Sequence, residues 1–430
     1  MISKLNPPEA VLRIARTLEK AGFETWCVGG AVRDALLGHP HLDWDLATAA
    51  HPPQIRSLFP RTVPVGIAFG TIGVLDDAGV MHEVTTFRRD VNTDGRHAEV
   101  EFGASLDEDL ARRDYTINAI AYSPSKKQIA DPFEGQKDLE RGIVRAVGDP
   151  SERMREDRLR ALRGLRFAAR FEFEIERATW DAIANSAPHL GRLSAERVKQ
   201  EIEKTMEQVM RPSRAFAMWQ TSGAFGTLIP SLAQISTLDL ATLDYICPPI
   251  LATRPQRRIN RMIALFAAAP HGAVNGILRA LRFSNADAAW IASIIAPWQA
   301  MQTEMKESLM GASTPADSTI RKWAAVAGRT RLASVMRVAS ARWAAERQAG
   351  LAAPSQERIA SVYRRAIRIA YRDPIEVGDL AIDGSDLQRI GIKGPAVGQT
   401  LRSLLETVIN DPSANSREKL LEAVKSNPIN

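Results

Sequence analysis

The sequence predicts an α+β region at the N-terminus, with a mixed sheet and helices, followed by a long remainder built of helices. Up to about residue 145, short apolar strands alternate with amphipathic helices, as where FETWCV (23–28) follows a helical pattern over 7–21. Beyond about residue 150, helical spacing dominates, as in DRLRALRGLRFAARF (157–171) and SAERVKQEIEKTMEQVM (194–210). Strand-like alternation nearly disappears there, and this change predicts the all-α remainder.

The composition is that of a globular protein, and its positive net charge fits a polyanionic partner without establishing one. The chain has 430 residues, of which 45% are apolar and 25% charged, and its net charge is +6. We find no apolar run of membrane-spanning length and no apolar block of a signal peptide at the N-terminus. Cys27 and Cys247 lie far apart in the sequence. We therefore expect a cytoplasmic protein without a membrane partner, and the sequence does not indicate its oligomeric state.

The elements of the N-terminal region follow from local signals. Gly38 ends a short helix, proline begins another, and Asp76 to Gly79 form the turn of a hairpin. In the second strand we expect Leu42, Trp44 and Leu46 to face the core. After the first helix and strand, the expected elements are a helix over 31–37, a strand over 42–48, a helix over 51–59 and a hairpin over 71–87.

One segment, CVGGAVRDALLGHPHLDWDLAT (27–48), carries chemistry. Gly29 and Gly30 permit a tight turn with close backbone approach, and Arg33 supplies a fork of donors suited to phosphate. Asp43 and Asp45 are two apart, so that on a strand they share one face. Two adjacent carboxylates repel each other unless a cation lies between them. The segment therefore predicts a nucleoside triphosphate bound with Mg²⁺.

Five further motifs follow GGAVRDALLG and DWD in order. Together they resemble the class II branch of the tRNA nucleotidyltransferase and poly(A) polymerase family, with dense matches over 23–210. The resemblance implies a polymerase-β-like nucleotidyltransferase head (1–145), a base-recognising neck (146–211), a body (212–350) and a tRNA-binding tail (351–430). The further motifs are ARRDYTINAIAY (111–122), DPFEGQKDL (131–139), EDRLRALRGLRF (156–167), LSAERVKQEIEK (193–204) and GIKGPAVGQTLRSLLE (391–406).

The resemblance also implies a reaction. Template-independent addition of CCA to the tRNA 3′ end would use CTP and ATP, with Mg²⁺-dependent attack of the 3′-hydroxyl on the α-phosphate. Asp43 and Asp45 would be catalytic and hold the metal, while Gly30 and Arg33 would hold the triphosphate. By the same resemblance, Arg113 contacts the nucleotide.

Two further polar residues lie in or near these motifs. The resemblance suggests that Asn118 helps to position the nucleotide. Glu83 either provides a third carboxylate on a neighbouring strand or is an ordinary strand-face glutamate paired with an arginine. The polar segment that follows, over 88–103, resembles the flexible loop of CCA-adding members.

Base selection is assigned to the helix that contains Asp157 and Arg160. Three residues apart on one helix, the two side chains would be neighbours, which is also the pattern of an ordinary ion pair. Cytosine and adenine both present an amine donor beside a ring-nitrogen acceptor, which an aspartate and an arginine match, whereas guanine and uracil present the reverse. The nucleotide-binding set further includes Arg163 and Arg166, although helical drift turns Arg166 away from Asp157.

Two basic clusters in the helical remainder are candidate tRNA contacts, although each pattern equally fits a solvated helix face. Arg364, Arg368 and Arg372 recur every four residues and form a stripe on one helix. The second cluster consists of Arg257, Arg258 and Arg261.

Other functions remain open on the sequence alone. A poly(A) polymerase or a CC-only or A-only enzyme would share the head and neck motifs, and the end of the chain, SREKLLEAVKSNPIN, lacks a long basic tail and so favours CCA addition. A non-catalytic RNA-binding protein would not need Asp43 and Asp45. A small-molecule nucleotidylyltransferase would not need Asp157, Arg160 or the helical half.

Overall fold

A computed structural model describes residues 5–39, 43–93, 98–246 and 253–426, without the side chains of 90–99 and 254. The chain forms two compact units. The first comprises Met1–Glu201 and Met218–Pro230, and the second comprises Ile202–Ala217 and Ser231–Asn430.

The first unit contains a mixed seven-stranded sheet in the order β3-β4-β5-β2-β1-β8-β9. Strands β2 and β5 pair in parallel, and the other neighbours in this sheet pair antiparallel. Two small two-stranded sheets, β6-β7 and β10-β11, accompany it. The strands are β1 Thr25–Val28, β2 Asp45–Thr48, β3 Thr62–Gly66, β4 Thr71–Leu75, β5 Met81–Thr86, β6 Arg88–Thr93, β7 Ala98–Phe102, β8 Ala121–Ser123, β9 Gln128–Ala130, β10 Ile143–Val144 and β11 Glu174–Ile175.

The strand that carries the aspartates is shorter than expected. It begins at Asp45, so that Asp43 lies in the preceding loop. Trp44 and Leu46 are buried, as predicted, whereas Leu42 lies outside the described residues. The hairpin of β4 and β5 forms as predicted. The segment 88–103 contains the paired strands β6 and β7, and its residues 94–97 lie outside the described range.

Helices cover the sheet and continue the chain after it. An apolar cluster behind the sheet includes Trp26, Ala47, Phe87 and Leu110. The helices up to Leu228 are α1 Glu9–Lys20, α2 Gly30–Leu36, α3 Pro52–Leu58, α4 Leu106–Ala111, α5 Gly135–Arg141, α6 Pro150–Glu156, α7 Leu159–Phe171, α8 Arg177–Ser186, α9 Ala195–Gln208, α10 Pro212–Thr221 and α11 Ala224–Leu228.

The helix expected over 157–171 begins only at Leu159 in the structure. Asp157 has extended backbone angles (φ −148, ψ 105) and separates α6 from α7. Its carboxylate accepts a hydrogen bond from the N–H of Leu159 at 3.0 Å. Aspartate side chains compete in this way with the helical backbone pattern, which explains why the helix breaks at this residue.

The described residues of the second unit form helices joined by loops. Trp298 and Trp343 meet edge to face in its interior, with ring centroids 6.4 Å apart, and a separate C-terminal cluster includes Leu387, Leu404 and Leu420. No helix in the described part of the chain is both long and apolar enough to cross a membrane. Besides the end of α9 and part of α10, its helices are α12 Thr237–Tyr245, α13 Arg254–Phe266, α14 His271–Ala280, α15 Asn285–Met310, α16 Asp317–Ala327, α17 Leu332–Gln348, α18 Gln356–Arg372, α19 Gly384–Arg389, α20 Pro395–Asn410 and α21 Arg417–Ser426.

The predicted fold class is confirmed. A mixed sheet with helices comes first, and the described residues after Ile175 contain helices and loops without a strand.

Candidate active site

The glycine turn joins β1 to α2 and receives an arginine from elsewhere in the unit. Gly29 has φ +74, a conformation that residues with a side chain rarely adopt. A Cβ atom on Gly29 would lie 2.9 Å from Nη1 of Arg113, so the guanidinium packs on the turn itself. Asp109 holds Arg113 through a 3.1 Å ion pair. The structure therefore places Arg113 beside Gly29 and Gly30, where the sequence predicts a triphosphate.

Of the two predicted metal-binding aspartates, Asp45 begins β2 and Asp43 lies in the loop before it. Leu46 pairs with Val84 on β5, so Asp45 and Glu83 are the preceding residues on two parallel neighbouring strands. Burial raises the pKa of Asp45 to about 7, and the nearby carboxylates of Glu83 and Asp43 add to this effect. Arg113 opposes it. Three carboxylates and one arginine thus influence one another at this edge of the sheet.

This donor set fits a magnesium ion that also binds substrate. Oxygen ligands suit Mg²⁺, which usually takes one or two carboxylates and completes its shell with water and phosphate. Within the described ranges, no three His, Cys, Asp or Glu side chains are arranged to hold a metal ion without such help. The carboxylates of Glu83 and Asp43 contribute to the raised pKa of Asp45, and a divalent cation would neutralise their negative charge.

Arg33 is buried behind the glycine turn, although the sequence suggests a side chain open to phosphate. Its side chain is 4% exposed, and its Nε donates to Asp34 at 2.8 Å. Its Nη1 donates to the side-chain oxygen of Asn118. The guanidinium carbon lies 5.2 Å from the ring centroid of Phe167 and 4.7 Å from that of Phe171. Arg33 and Asn118 therefore support the turn from within.

Asp114 connects the segment 111–122 to α7. Its carboxylate accepts hydrogen bonds from Asn118 at 2.8 Å and from Nε of Arg163 at 2.7 Å. Although burial alone would raise the pKa of Asp114, Arg163 and Asn118 hold it at about 2. Arg163, a predicted base contact, is thus ion-paired in this structure.

Two more contacts fasten α7 to the same segment. The Tyr115 hydroxyl donates to the carbonyl oxygen of Arg160 at 2.6 Å, and Nη2 of Arg160 donates to the carbonyl oxygen of Arg112 at 2.8 Å. A Cβ atom on Gly164 would overlap the Tyr115 hydroxyl, so only glycine leaves room for the tyrosine. The side chain predicted to read the base is therefore bonded to the residue before Arg113.

Asp157 and Arg160 are not paired with each other, contrary to the helical-spacing argument. The break between α6 and α7 removes the i,i+3 geometry. Arg197 instead contacts Asp157, with 2.7 Å between Nη2 and Oδ2. Nη1 of Arg160 lies 2.5 Å from Glu156 and also donates to the carbonyl oxygen of Arg153 at 3.3 Å.

Arg166 turns away from these residues, as helical drift predicts. Its Nε contacts Glu201 at 2.7 Å, and both side chains are buried. Its guanidinium carbon also lies 4.5 Å from the ring centroid of Phe167. The position fastens α7 to α9 and leaves Arg166 no open path to a nucleotide.

Sequence reasoning missed the residues that hold the site residues in place. They are Asp109, Tyr115, Glu156, Gly164 and Arg197. Three of them, Tyr115, Gly164 and Arg197, have partners far along the chain, which spacing within a motif does not indicate. A local signal could have found Asp109 and Glu156, because each lies four residues before the arginine that it contacts, Arg113 or Arg160.

In the second unit, the arginine stripe of α18 is exposed. Arg364, Arg368 and Arg372 face solvent and have no ion-pair partner among the described residues. Arg365, on another side of α18, pairs with Asp317. The stripe is thus an available cationic surface.

The other basic cluster is not such a surface, which corrects the expectation for Arg257, Arg258 and Arg261. Arg261 is fully buried, and it donates to the carbonyl oxygens of Met206, Val209 and Met210 at 2.6 to 3.1 Å. Those carbonyls belong to the end of α9 and the residues after it, where helices leave acceptors without partners. Arg257 is buried as well, and Arg258 lies 3.5 Å from a carboxylate oxygen of Glu207.

Comparison with known proteins gives consistent matches. The family model described as the poly A polymerase head domain matches residues 25–145, and the model described as a probable RNA and SrmB-binding site of polymerase A matches 172–235. The CCA-adding enzyme of Geobacillus kaustophilus is 34% identical over 422 residues, covering 97% of this chain and 96% of that protein.

Two further matches differ in extent. The alignment with the CCA-adding enzyme of Streptococcus mutans is 48% identical over 200 residues and spans about half of each protein, 46% of this chain and 49% of the relative. The crystal structure of the Bacillus stearothermophilus CCA-adding enzyme in complex with CTP superposes with a TM-score of 0.75 at 32% identity, covering 98% of this chain and 99% of that one. By full-length similarity in sequence and fold, the chain belongs to the family of CCA-adding enzymes, the tRNA nucleotidyltransferases related to poly(A) polymerase.

Proposed function

We propose that this chain adds CCA to the 3′ end of tRNA from CTP and ATP without a nucleic-acid template. One set of contacts carries the proposal: Arg160 is bonded to the carbonyl of Arg112, and the next residue, Arg113, packs on the Gly29 turn. This set links a base-reading side chain to a triphosphate-binding turn within one compact unit.

The carboxylates define the reacting end. Asp43 and Asp45 would hold Mg²⁺, which would neutralise the triphosphate and favour ionisation of the attacking hydroxyl. Glu83, beside Asp45, serves as the third carboxylate of the cluster. The tRNA 3′-oxygen forms a bond to the α-phosphorus, the bond to the bridging oxygen breaks, and pyrophosphate leaves. The hydroxyl proton passes to a carboxylate of this cluster.

The arginines around the turn orient the nucleotide. The backbone of Gly29 and Gly30 and the guanidinium of Arg113 receive the triphosphate. Arg33 keeps the turn in shape from its buried position and does not itself need to reach the phosphates. Arg163, bound to Asp114, holds α7 against the segment that contains Arg113.

Asp157 and Arg160 select the base. Asp157 accepts from the exocyclic amine of cytosine or adenine, and Arg160 donates to the adjacent ring nitrogen. Guanine and uracil would set acceptor against acceptor and donor against donor, which leaves buried polar groups unpaired. The proteins that this chain matches over nearly its whole length are CCA-adding enzymes, which favours CCA addition over poly(A) or partial addition.

We assign a head over 1–145, a neck over 146–211, a body over 212–350 and a tail over 351–430. The tail contains the Arg364, Arg368 and Arg372 stripe, whose charge suits the phosphates of tRNA. The reaction, which acts on tRNA and nucleoside triphosphates, supports a cytoplasmic location.

The experiment uses the full chain, a tRNA that lacks CCA, Mg²⁺ and defined nucleotide mixtures. We expect three added residues with CTP and ATP together, two with CTP alone, and none with GTP or UTP. Long adenosine tails would identify a poly(A) polymerase instead. Asp45→Asn should abolish addition while tRNA binding persists, whereas Asp77→Asn, at a highly exposed carboxylate, should react like the parent chain.

A further inference from the structure

The carboxylate that reads the base has a dedicated partner on another helix. Arg197, in the first turn of α9, approaches Oδ2 of Asp157 to 2.7 Å, while Oδ1 accepts the N–H of Leu159 at 3.0 Å. The side chains of Arg197 and Asp157 are 30% and 29% exposed, so the pair lies at the surface of the unit without being fully solvated.

These two bonds fix the direction of the carboxylate. An ionised carboxylate has about four lone-pair directions, and the two bonds use one on each oxygen. The remaining directions can still accept an amine, and they cannot rotate while both bonds are made. Asp157 lies in the extended break between α6 and α7, so a regular helix does not set the direction of its side chain.

Arg160 is held independently of this pair. Glu156 and the carbonyl oxygens of Arg153 and Arg112 take three of its five N–H donors, which leaves two for a ligand. The two base-reading side chains thus have separate supports, and within the described part of the chain Arg197 is the one side chain on a different helix that supports Asp157.

We infer that Arg197 is a positioning residue for base selection, which acts through Asp157 without touching the nucleotide. The inference rests on the proposed function, since it assigns a specificity role at the same site. If Arg197 is removed, Asp157 can rotate about its side-chain bonds, and a rotated carboxylate no longer opposes the O4 acceptor of uracil. Discrimination against the wrong base then falls.

The test is the ratio of UTP to CTP incorporation on a tRNA that lacks CCA, measured in one reaction for each variant. Arg197→Ala should raise this ratio by roughly tenfold or more, the scale of one hydrogen bond to a charged group. Arg197→Lys, which keeps the charge, should restore part of the discrimination. Arg177→Ala, which removes an exposed ion pair on α8, is the matched control and should leave the ratio unchanged.

A second comparison separates positioning from general loosening of the fold. The incorporation ratio does not depend on how much of a sample is folded, so a merely destabilised variant would lose activity while its ratio stayed constant. In an Asp157→Ala background, Arg197→Ala should have no further effect on the ratio, because its route of action is gone.

Two results would overturn the inference. An active Arg197→Ala variant with the parent ratio of UTP to CTP would overturn it and leave the proposed function intact. Absence of cytidine addition by the parent chain would overturn the proposed function and this inference together.

Discussion

Asp45, which is partly buried, and Asp114, which is buried, have pKa values that are shifted in opposite directions. Burial raises the pKa of Asp45 to about 7, and the carboxylates of Glu83 and Asp43 add to this effect. Asp114 lies beside Arg163 and Asn118, and its pKa is lowered to about 2 in spite of burial. A bound cation would neutralise the carboxylates around Asp45, whereas Arg163 neutralises Asp114 from within the chain.

Because the pKa of Asp114 is lowered, the stability of the first unit depends on pH. A carboxyl group with a folded-state pKa near 2 and an ordinary value near 3.8 stabilises the fold fully above the ordinary value, by about 2 kcal/mol. This contribution is lost as the pH falls from about 4 towards 2. We expect Asp114→Asn to be less stable than the parent chain at pH 7, with a difference that narrows below pH 4.

Urea unfolding at a series of pH values measures that difference. Asp77→Asn, at an exposed carboxylate, serves as the control and should follow the parent curve. A difference between Asp114→Asn and the parent that stays constant from pH 7 to pH 3 would show that Asp114 is not held ionised by its neighbours.

The sequence predicts which residues form the site better than it predicts which side chains surround each of them. The glycine turn, the two aspartates and Arg113 are placed together as the motifs suggest. The burial of Arg33 could not be predicted, because the Phe167 and Phe171 rings that enclose it come from α7, far along the chain.

Among the elements, α7 is positioned by a close approach to the segment before it. Tyr115 is fully buried and reaches the carbonyl oxygen of Arg160 across Gly164. Any side chain on Gly164 would displace the tyrosine hydroxyl or move the helix. The position of α7, and with it that of Arg160, therefore depends on this glycine.

Gly164→Ala should destabilise the first unit by about 1–3 kcal/mol, the usual cost of overpacking a filled interior. It should also weaken CTP use, because it displaces Arg160. Gly226→Ala is the matched control: Gly226 is helical and has open space around its Cβ position, so the change should be neutral or slightly stabilising. Chemical denaturation measures both, and equal stabilities would refute the packing argument.

The end of α9 depends on a buried arginine. Arg261, on α13, donates to three carbonyl oxygens there. Arg258, also on α13, makes ion pairs that are long and partly exposed. Arg261→Ala should cost about 3 kcal/mol or more, since several buried acceptors lose their donor. Arg258→Ala should cost less than about 1 kcal/mol. Thermal unfolding compares the two, and similar losses would contradict the capping role of Arg261.

For the molecule as a whole, hydrophobic periodicity predicts the order of strands and helices better than it predicts which side chains contact each other. The change from strands to helices after about residue 150 and the hairpin of β4 and β5 follow from apolar spacing, which burial enforces directly. Periodicity does not predict the break at Asp157, because a hydrogen bond from the backbone N–H of Leu159 to the Asp157 carboxylate overrides the helical pattern. Periodicity does not predict the burial of Arg261 either, because the partners of Arg261 lie on another helix.

The exposed stripe of α18 predicts a salt-dependent contribution to tRNA binding. Replacing Arg364, Arg368 and Arg372 together with alanine should weaken binding and reduce the slope of log affinity against log salt by about one for each phosphate that these arginines neutralise. Arg365→Ala, on the same helix but paired with Asp317, should change the slope less. Filter binding at several salt concentrations measures the slopes, and an unchanged slope in the triple variant would exclude the stripe from the tRNA surface.

The most direct measurement of the central claim is a structure of the full chain with tRNA lacking CCA, Mg²⁺ and an unreactive CTP analogue. We predict the triphosphate on the Gly29–Gly30 turn beside Arg113, its α-phosphate next to Asp43 and Asp45, and the cytosine edge on Asp157 and Arg160. A nucleotide bound elsewhere, or a base whose edge contacts neither Asp157 nor Arg160, would contradict the account.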